Sequence, residues 1–129
     1  MSAAEELHPP SVLVVEDEVL VRMMLVDVLE EAGFRVHAAE TAVEGVRELD
    51  RHPEIVGLLT DVETPGPVDG IALARITHER HPDAAVVVMS GRKRPGSGEL
   101  PPNARFFGKP YVPDDIIEAL HEMMLRERA

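Results

Sequence analysis

Short apolar segments alternate with longer amphipathic segments along this chain. Five apolar segments have the length and composition of β-strands, at residues 11–15, 34–39, 55–60, 84–90 and 104–108. Four segments repeat apolar residues at helical spacing, at residues 18–32, 42–51, 69–80 and 112–128. Apolar strands separated by helices predict an α/β fold, in which helices cover both faces of one parallel sheet.

Local signals mark the ends of the first two helices. Gly33 stands where a glycine commonly ends a helix, and Thr41 precedes Glu44 by the three-residue spacing of a capping box. The residues of the first helix that we expect to face the core are Leu20, Met23, Met24, Val26, Leu29 and Ala32.

The alternation is interrupted between the fourth and fifth strands. The segment GRKRPGSGELPPN, residues 91–103, has three prolines and three glycines and no apolar periodicity. Because both residue types disfavour a helix interior, we predict a loop, or at most one irregular turn, where a fourth helix would otherwise lie.

The composition excludes several classes of function. The 129 residues carry a formal charge of −11, which repels phosphate backbones and argues against direct nucleic-acid binding. The absence of cysteine excludes disulfides, thiol catalysis and cysteine metal sites. No apolar run is long enough to span a membrane. We therefore predict a cytoplasmic protein without membrane attachment, with a flexible lead at residues 1–10 and one domain at residues 11–129.

Reactive side chains follow four of the five strands. Glu16 and Asp17 follow the first strand, Asp61 the third, Ser90 ends the fourth, and Lys109 follows the fifth. In a parallel sheet of order 2-1-3-4-5 these four strands are contiguous, and their carboxyl ends share one edge. We therefore expect acids, hydroxyl and amine to lie close together.

Such a group of side chains suits phosphoryl transfer. Clustered carboxylates cannot all ionise cheaply without a cation, and oxygen ligands suit Mg²⁺. Asp61 can act as a nucleophile toward phosphorus, while Lys109 and Ser90 can contact the phosphoryl oxygens. The sequence has no phosphate-binding loop for ATP, so the phosphoryl group is expected from another donor.

Four segments, VLVVEDE, LLTDVETPGPVDG, VVVMSG and FFGKPY, resemble in this order the signature motifs of the response-regulator receiver domain. The resemblance covers roughly residues 11–128. It implies a flavodoxin-like doubly wound fold and phosphorylation of Asp61 by a sensor histidine kinase or phosphotransfer protein. It also implies Mg²⁺ bound by Asp17, Asp61 and the backbone carbonyl of Glu63, with Glu16 close by.

The resemblance further implies a conformational switch. Ser90 matches the hydroxyl residue that moves toward the phosphate, and Phe106 matches the aromatic residue whose rotamer changes with it. Lys109 matches the lysine that contacts the phosphate, and the bond before Pro110 is usually cis in this family. The chain would then be a single-domain response regulator that signals to an unknown downstream protein, with no enzymatic activity beyond its own phosphorylation and dephosphorylation.

Other functions stay open on the sequence alone. A phosphatase of the haloacid-dehalogenase type uses similar residues, but it has a second aspartate two positions after the nucleophile, where this chain has Glu63. A phosphate sink, a relay intermediate and an unphosphorylated interaction domain are further possibilities. Asp61 alone is also compatible with a turn or a helix cap. Of the six histidines, only His78 and His81 are close in sequence, which argues against a histidine metal site.

Overall fold

The computed structural model describes residues 9–92, 95–96 and 98–128. Five strands form one parallel sheet of order β2-β1-β3-β4-β5: β1 (Ser11–Val15), β2 (Arg35–Ala39), β3 (Ile55–Asp61), β4 (Ala85–Ser90) and β5 (Arg105–Gly108). The helices of the described residues are α1 (Val19–Glu31), α2 (Ala42–Arg51), α3 (Gly70–Arg80) and α4 (Pro113–Arg128). The predicted flavodoxin-like, doubly wound fold is confirmed, and most predicted boundaries are correct to within one residue.

The central strands are buried on both faces. Side chains alternate along a strand, so Val12 and Val14 of β1 pack in the core beneath α1 and α4, while Leu13 and Val15 pack in the core beneath α2 and α3. Burying one such side chain contributes about 1.5–3 kcal/mol to stability. The two cores therefore hold the strands rigidly, and the residues that follow each strand inherit fixed positions.

The predicted buried face of α1 is correct at Leu29 and Ala32 and wrong at Leu20, Met23 and Met24. Val21, Leu25 and Leu29 contact the core together with Ala32, whereas Leu20 is 80% and Met23 56% exposed. Apolar residues surround most of this helix, so their spacing alone does not select a face, and contact with the sheet selects the row at intervals of four. Despite this apolar character, none of the helices in the described ranges is long and apolar enough to cross a membrane.

The segment at residues 91–103 contains only turns, bends and irregular backbone in its described residues, as predicted. Leu100 packs against the core beneath α2 and α3. The Arg75 side chain of α3 donates a hydrogen bond to the backbone carbonyl of Glu99 at 2.8 Å. The segment is thus attached to α3, although its described residues do not form the helix that the alternation would otherwise require.

The predicted cap of α2 is present. Thr41 accepts a hydrogen bond from the backbone N–H of Glu44 at 3.2 Å. The Glu44 carboxylate reaches back to the N–H of Glu40, one residue before the cap itself. Both contacts satisfy N–H groups that would otherwise lack partners at the start of a helix.

The start of α3 lies directly against the end of β3. Gly70 donates its N–H to the carbonyl of Val62 at 2.8 Å, and a Cβ at position 70 would overlap the backbone carbonyl of Asp61. The preceding residue, Asp69, caps the helix by accepting a hydrogen bond from the N–H of Ala72 at 2.9 Å. Glycine at position 70 therefore allows the helix to approach the backbone of Asp61.

We expect Gly70→Ala to destabilise the protein by about 2 kcal/mol or more, because the added methyl group would overlap backbone that cannot rotate away. The midpoint of urea unfolding measures the change. Gly108→Ala is the matched control, since a Cβ there has no atom within 4 Å and should leave the midpoint unchanged. Equal midpoints for the two variants would contradict the close approach of α3 to Asp61.

Candidate functional site

An open cavity of about 300 Å³ lies at the carboxyl edge of the sheet. Its wall contains Asp61 from the end of β3, Glu16 and Asp17 from the turn after β1, and Lys109 from the turn after β5. These residues are far apart in the sequence, and the strand order alone brings them together. The acids and the amine therefore lie together at one edge of the sheet, as the strand order predicted.

Asp61 and Lys109 form an ion pair. Asp61 is only 3% exposed, and Nζ of Lys109 lies 2.6 Å from its Oδ1. A buried carboxylate needs such a partner to offset the loss of hydration. Asp61 does not cap a helix, because Asp69 occupies that position at the start of α3. The interpretation of Asp61 as a capping residue is therefore wrong.

Three carboxylates crowd the floor of the cavity. Each of Glu16, Asp17 and Asp61 has an oxygen within 4.8 Å of an oxygen from the other two. Burial, and then the nearby Asp61, raise the pKa of Glu16 to about 8. Burial acts to lower the pKa of Lys109, but its contact with Asp61 outweighs this effect and the pKa is raised. The lysine is therefore positively charged, whereas Glu16 keeps its proton to a higher pH than an ordinary glutamate.

The donor set fits a hard divalent cation. Oε2 of Glu16 accepts a hydrogen bond from the N–H of Glu18 at 3.0 Å, but the buried Oε1 has no hydrogen-bond partner among the described residues. Nζ of Lys109 is 3.9 Å from this oxygen, too far for a hydrogen bond. Clustered carboxylate oxygens with an unsatisfied member are the ligands that Mg²⁺ prefers.

Arg22 supports the turn that carries the acids, a role that was not predicted from the sequence. Its guanidinium donates to the backbone carbonyl of Glu16 at 2.7 Å, while the N–H of Glu16 bonds to the carbonyl of Ala39 in β2 at 3.1 Å. A cation near the start of a helix opposes the helix dipole. That unfavourable position was the signal in the sequence that Arg22 has a specific partner.

Ser90 connects the end of β4 to its neighbours. Its hydroxyl donates to the carboxylate of Glu63 at 2.7 Å and accepts from the N–H of Arg92 at 3.3 Å. Its carbonyl accepts a hydrogen bond from the N–H of Lys109 at 2.9 Å. Glu63 and Arg92 both line the cavity beside Asp61. The Ser90 hydroxyl is thus held at the rim of the cavity by Glu63, which lies at the same rim.

Phe106 lies beside the irregular segment. It is half-buried against the core beneath α2 and α3, and it lines a second open cavity of about 200 Å³ with Leu100 and other residues of the segment 91–103. The Lys109–Pro110 bond is cis, as the resemblance implied. The backbone between Phe106 and Pro110 therefore connects this second cavity with the acid-lined one.

The histidines that contact each other in the structure are not the two that are close in the sequence. The ring of His81 lies between the carbonyls of Ile55 and Leu49, at 2.9 and 3.1 Å, and so joins β3 to α2. His78 shares no metal-binding group with it among the described residues. Instead, His37 and His52, from two separate elements, stack on each other. Spacing along the chain did not reveal this pair.

Comparison with known proteins gives a consistent result. The family model of the response regulator receiver domain matches residues 12–121. The chain is 30% identical over 118 residues to the response regulator receiver protein CpdR of Brucella abortus, covering 88% of this chain and 96% of that protein. It is 32% identical over 119 residues to the chemotaxis protein CheY of Thermotoga maritima, covering 87% of this chain and 95% of that protein.

Solved structures show the same architecture. The crystal structure of a response regulator receiver protein from Sinorhizobium medicae superimposes with a TM-score of 0.88, over 94% of this chain and 98% of that one. At 24% sequence identity, this similarity supports the fold alone.

Glu16→Gln tests the crowding of the acids in metal-free protein. The folded chain retains a proton on Glu16 between its ordinary pKa of 4.5 and about 8, so the free energy of unfolding should fall as the pH rises through this interval. The decline is at most about 1.4 kcal/mol per pH unit from this group.

Urea unfolding with a chelator at several pH values between about 5 and 8 measures this effect. We expect a flatter pH dependence in the Gln variant, because its amide does not ionise. Parallel curves for the two proteins would show that Glu16 titrates normally.

Proposed function

Because this chain belongs to the response regulator receiver domain family, we propose that it is a phosphoacceptor switch, in which Asp61 takes a phosphoryl group from a sensor histidine kinase or phosphotransfer protein. The phosphorylated form would then signal by binding a downstream protein. The observation that carries this function is the buried Asp61 carboxylate, held 2.6 Å from Lys109 at an open, acid-lined cavity.

In the proposed reaction, an oxygen of Asp61 attacks the phosphorus of a phosphohistidine. The O–P bond forms as the P–N bond breaks, and the departing imidazole keeps that electron pair and takes a proton from solvent. Lys109 neutralises charge on the phosphoryl oxygens. When bound by Asp17, Asp61 and the backbone carbonyl of Glu63, with Glu16 close by, Mg²⁺ supplies further positive charge.

The switch would begin at Ser90. Its hydroxyl must leave the Glu63 carboxylate in order to bond to a phosphoryl oxygen. The space released behind it would admit Phe106, which has no hydroxyl and responds to packing alone. Since Phe106 lines the cavity formed with residues of the segment 91–103, its movement would change that surface. A change of this kind is a population shift between two packings.

The phosphodonor would approach over the start of α1. Leu20 and Met23 are exposed on the helix that begins two residues after Asp17, next to the mouth of the cavity. An apolar surface at that place suits an amphipathic helix that carries the phosphohistidine. Because such donors obtain their phosphate from ATP, we assign the function to the cytoplasm.

We propose a single-domain regulator, with residues 1–10 as a lead and residues 11–129 as the receiver domain. The proteins CpdR and CheY support this organisation, because the aligned region covers nearly their whole length. The chemistry would be limited to one phosphoryl group per chain and its slow hydrolysis. On this basis the chain is not an enzyme acting on external substrates.

Asp61→Asn should abolish phosphorylation by acetyl phosphate and binding of beryllofluoride, since an amide oxygen is a poor nucleophile. Intact-protein mass spectrometry measures the first, and fluorine NMR the second. Asp69→Asn is the matched control, because asparagine also caps helices and should leave both signals intact. Modification of the Asp61→Asn variant at wild-type yield would contradict the assigned phosphoacceptor.

The wild-type protein with Mg²⁺ should not turn over a generic phosphomonoester, because a receiver domain forms one acyl phosphate rather than processing substrates. Release of inorganic phosphate measures the activity. Multiple turnovers that disappear in Asp61→Asn would instead establish the phosphatase function.

A further inference from the structure

Two histidines and two glutamates meet at the edge of the sheet formed by β2. His37 is the middle residue of β2, Glu48 lies in α2, and His52 follows the end of that helix. Glu54 immediately precedes β3. None of the four lines the cavity beside Asp61. This histidine–glutamate cluster is therefore separate from the proposed phosphorylation site.

The two imidazole rings stack, with centroids 4.1 Å apart and planes inclined by 26°. His37 points to the α2 side of the sheet, since its neighbour Val36 packs against the opposite core. One possible ligand atom from each of His37, Glu48 and His52 lies within 4.8 Å of the others. Nε2 of His37 is buried, and no hydrogen bond to a described residue satisfies it.

His52 has a carboxylate at each ring nitrogen. Nε2 lies 3.3 Å from the Glu48 carboxylate, and Nδ1 lies 3.4 Å from that of Glu54. A neutral imidazole donates from one nitrogen only, so one of these contacts would bring a lone pair against an anion. A cation resolves this conflict, and it is either a second proton on His52 or a metal ion.

The nitrogen of His37 distinguishes these two cations. A proton on His52 satisfies both carboxylates but leaves Nε2 of His37 without a partner in the part of the chain that the structure describes. A metal ion held by His52 and Glu48 would lie within reach of a ligand nitrogen of His37, and Nε2 is the nitrogen that lacks a hydrogen bond to a described residue. Burial lowers the pKa of His37 and so favours its neutral ring. The neutral ring is the form that binds metals.

We propose that His37, Glu48 and His52 form a binding site for a borderline divalent transition metal, represented by Zn²⁺. Two imidazoles and one carboxylate are common zinc ligands, and a fourth position is left for water. Glu54 would hold the Nδ1–H of His52, which fixes the tautomer that presents Nε2 to the metal. Mg²⁺ prefers oxygen ligands and would not compete here.

Binding requires a small rearrangement of the rings. Two ligands of a tetrahedral Zn²⁺ at 2.0–2.1 Å lie roughly 3.4 Å apart, closer than the 4.8 Å limit that encloses the present ligand atoms. The three residues are half-buried rather than packed within the core, so their side chains can turn. The metal would then join β2 to the end of α2 and separate the stacked rings.

The proposal is tested by calorimetric titration of the full, chelator-treated chain with ZnCl₂ at saturating Mg²⁺, which fills the acid cluster at Asp61. We expect one Zn²⁺ per chain, with at least tenfold weaker binding in His37→Gln, His52→Gln and Glu48→Gln. His121→Gln, which removes an exposed histidine elsewhere, and Asp61→Asn should bind Zn²⁺ as the wild type does.

Two further measurements distinguish metal binding from a folding defect or a simple proton. Urea unfolding without metal reports whether each variant folds, and Zn²⁺ should raise the unfolding midpoint of the wild type but not of His52→Gln. Histidine ring NMR should show the signals of His37 and His52, but not of His121, shifting with Zn²⁺.

No binding of Zn²⁺, binding unaffected by both histidine changes, or binding lost in Asp61→Asn would each overturn the proposal. A doubly protonated His52 whose signals ignore Zn²⁺ would identify the cation as a proton and overturn it equally. Failure of beryllofluoride binding would bear on the phosphoacceptor function alone, because the two sites share no residue.

Discussion

The placement of one negative charge inside the protein governs the rest of the candidate site. Asp61 ends a central strand that is buried on both faces, where an unpaired carboxylate would be strongly destabilising. Lys109 supplies the pairing charge from two strands away, and Gly70 allows α3 to pack against the same backbone. The sheet order, the cation and the absence of a side chain at position 70 are thus three conditions for keeping one carboxylate buried and paired.

The same arrangement leaves the neighbouring acid in a different state. Glu16 is as deeply buried as Asp61, but its Oε1, which has no hydrogen-bond partner among the described residues, is beyond hydrogen-bond distance of the lysine. The Lys109 ammonium therefore pairs closely with the Asp61 carboxylate and only weakly with that of Glu16. In metal-free protein a proton on Glu16 offsets this crowding up to about pH 8, and in the proposed phosphoryl transfer a second cation would take its place.

The sequence was informative where a feature depends on order along the chain, and uninformative where it depends on orientation. Strand periodicity predicted the sheet, and the sheet order then required Asp61 and Lys109 to meet, because parallel strands end on one edge. The buried face of α1 was not predictable, since apolar residues such as Leu20 lie around most of the helix. The contact of His37 with His52 depends on the angle at which α2 crosses the edge strand. Residue spacing along the chain does not predict this angle.

The hydrogen bond between Ser90 and Glu63 has a consequence for the resting protein. A bond to a charged acceptor is worth about 1.5–3 kcal/mol, which corresponds to a ratio of roughly ten to one hundred and fifty between bonded and released states. In the proposed switch this ratio limits how often the unmodified chain adopts the signalling form by chance. Glu63 would therefore set the fraction of unphosphorylated protein that adopts the signalling form. A substitution at position 63 would change this fraction without altering Asp61 itself.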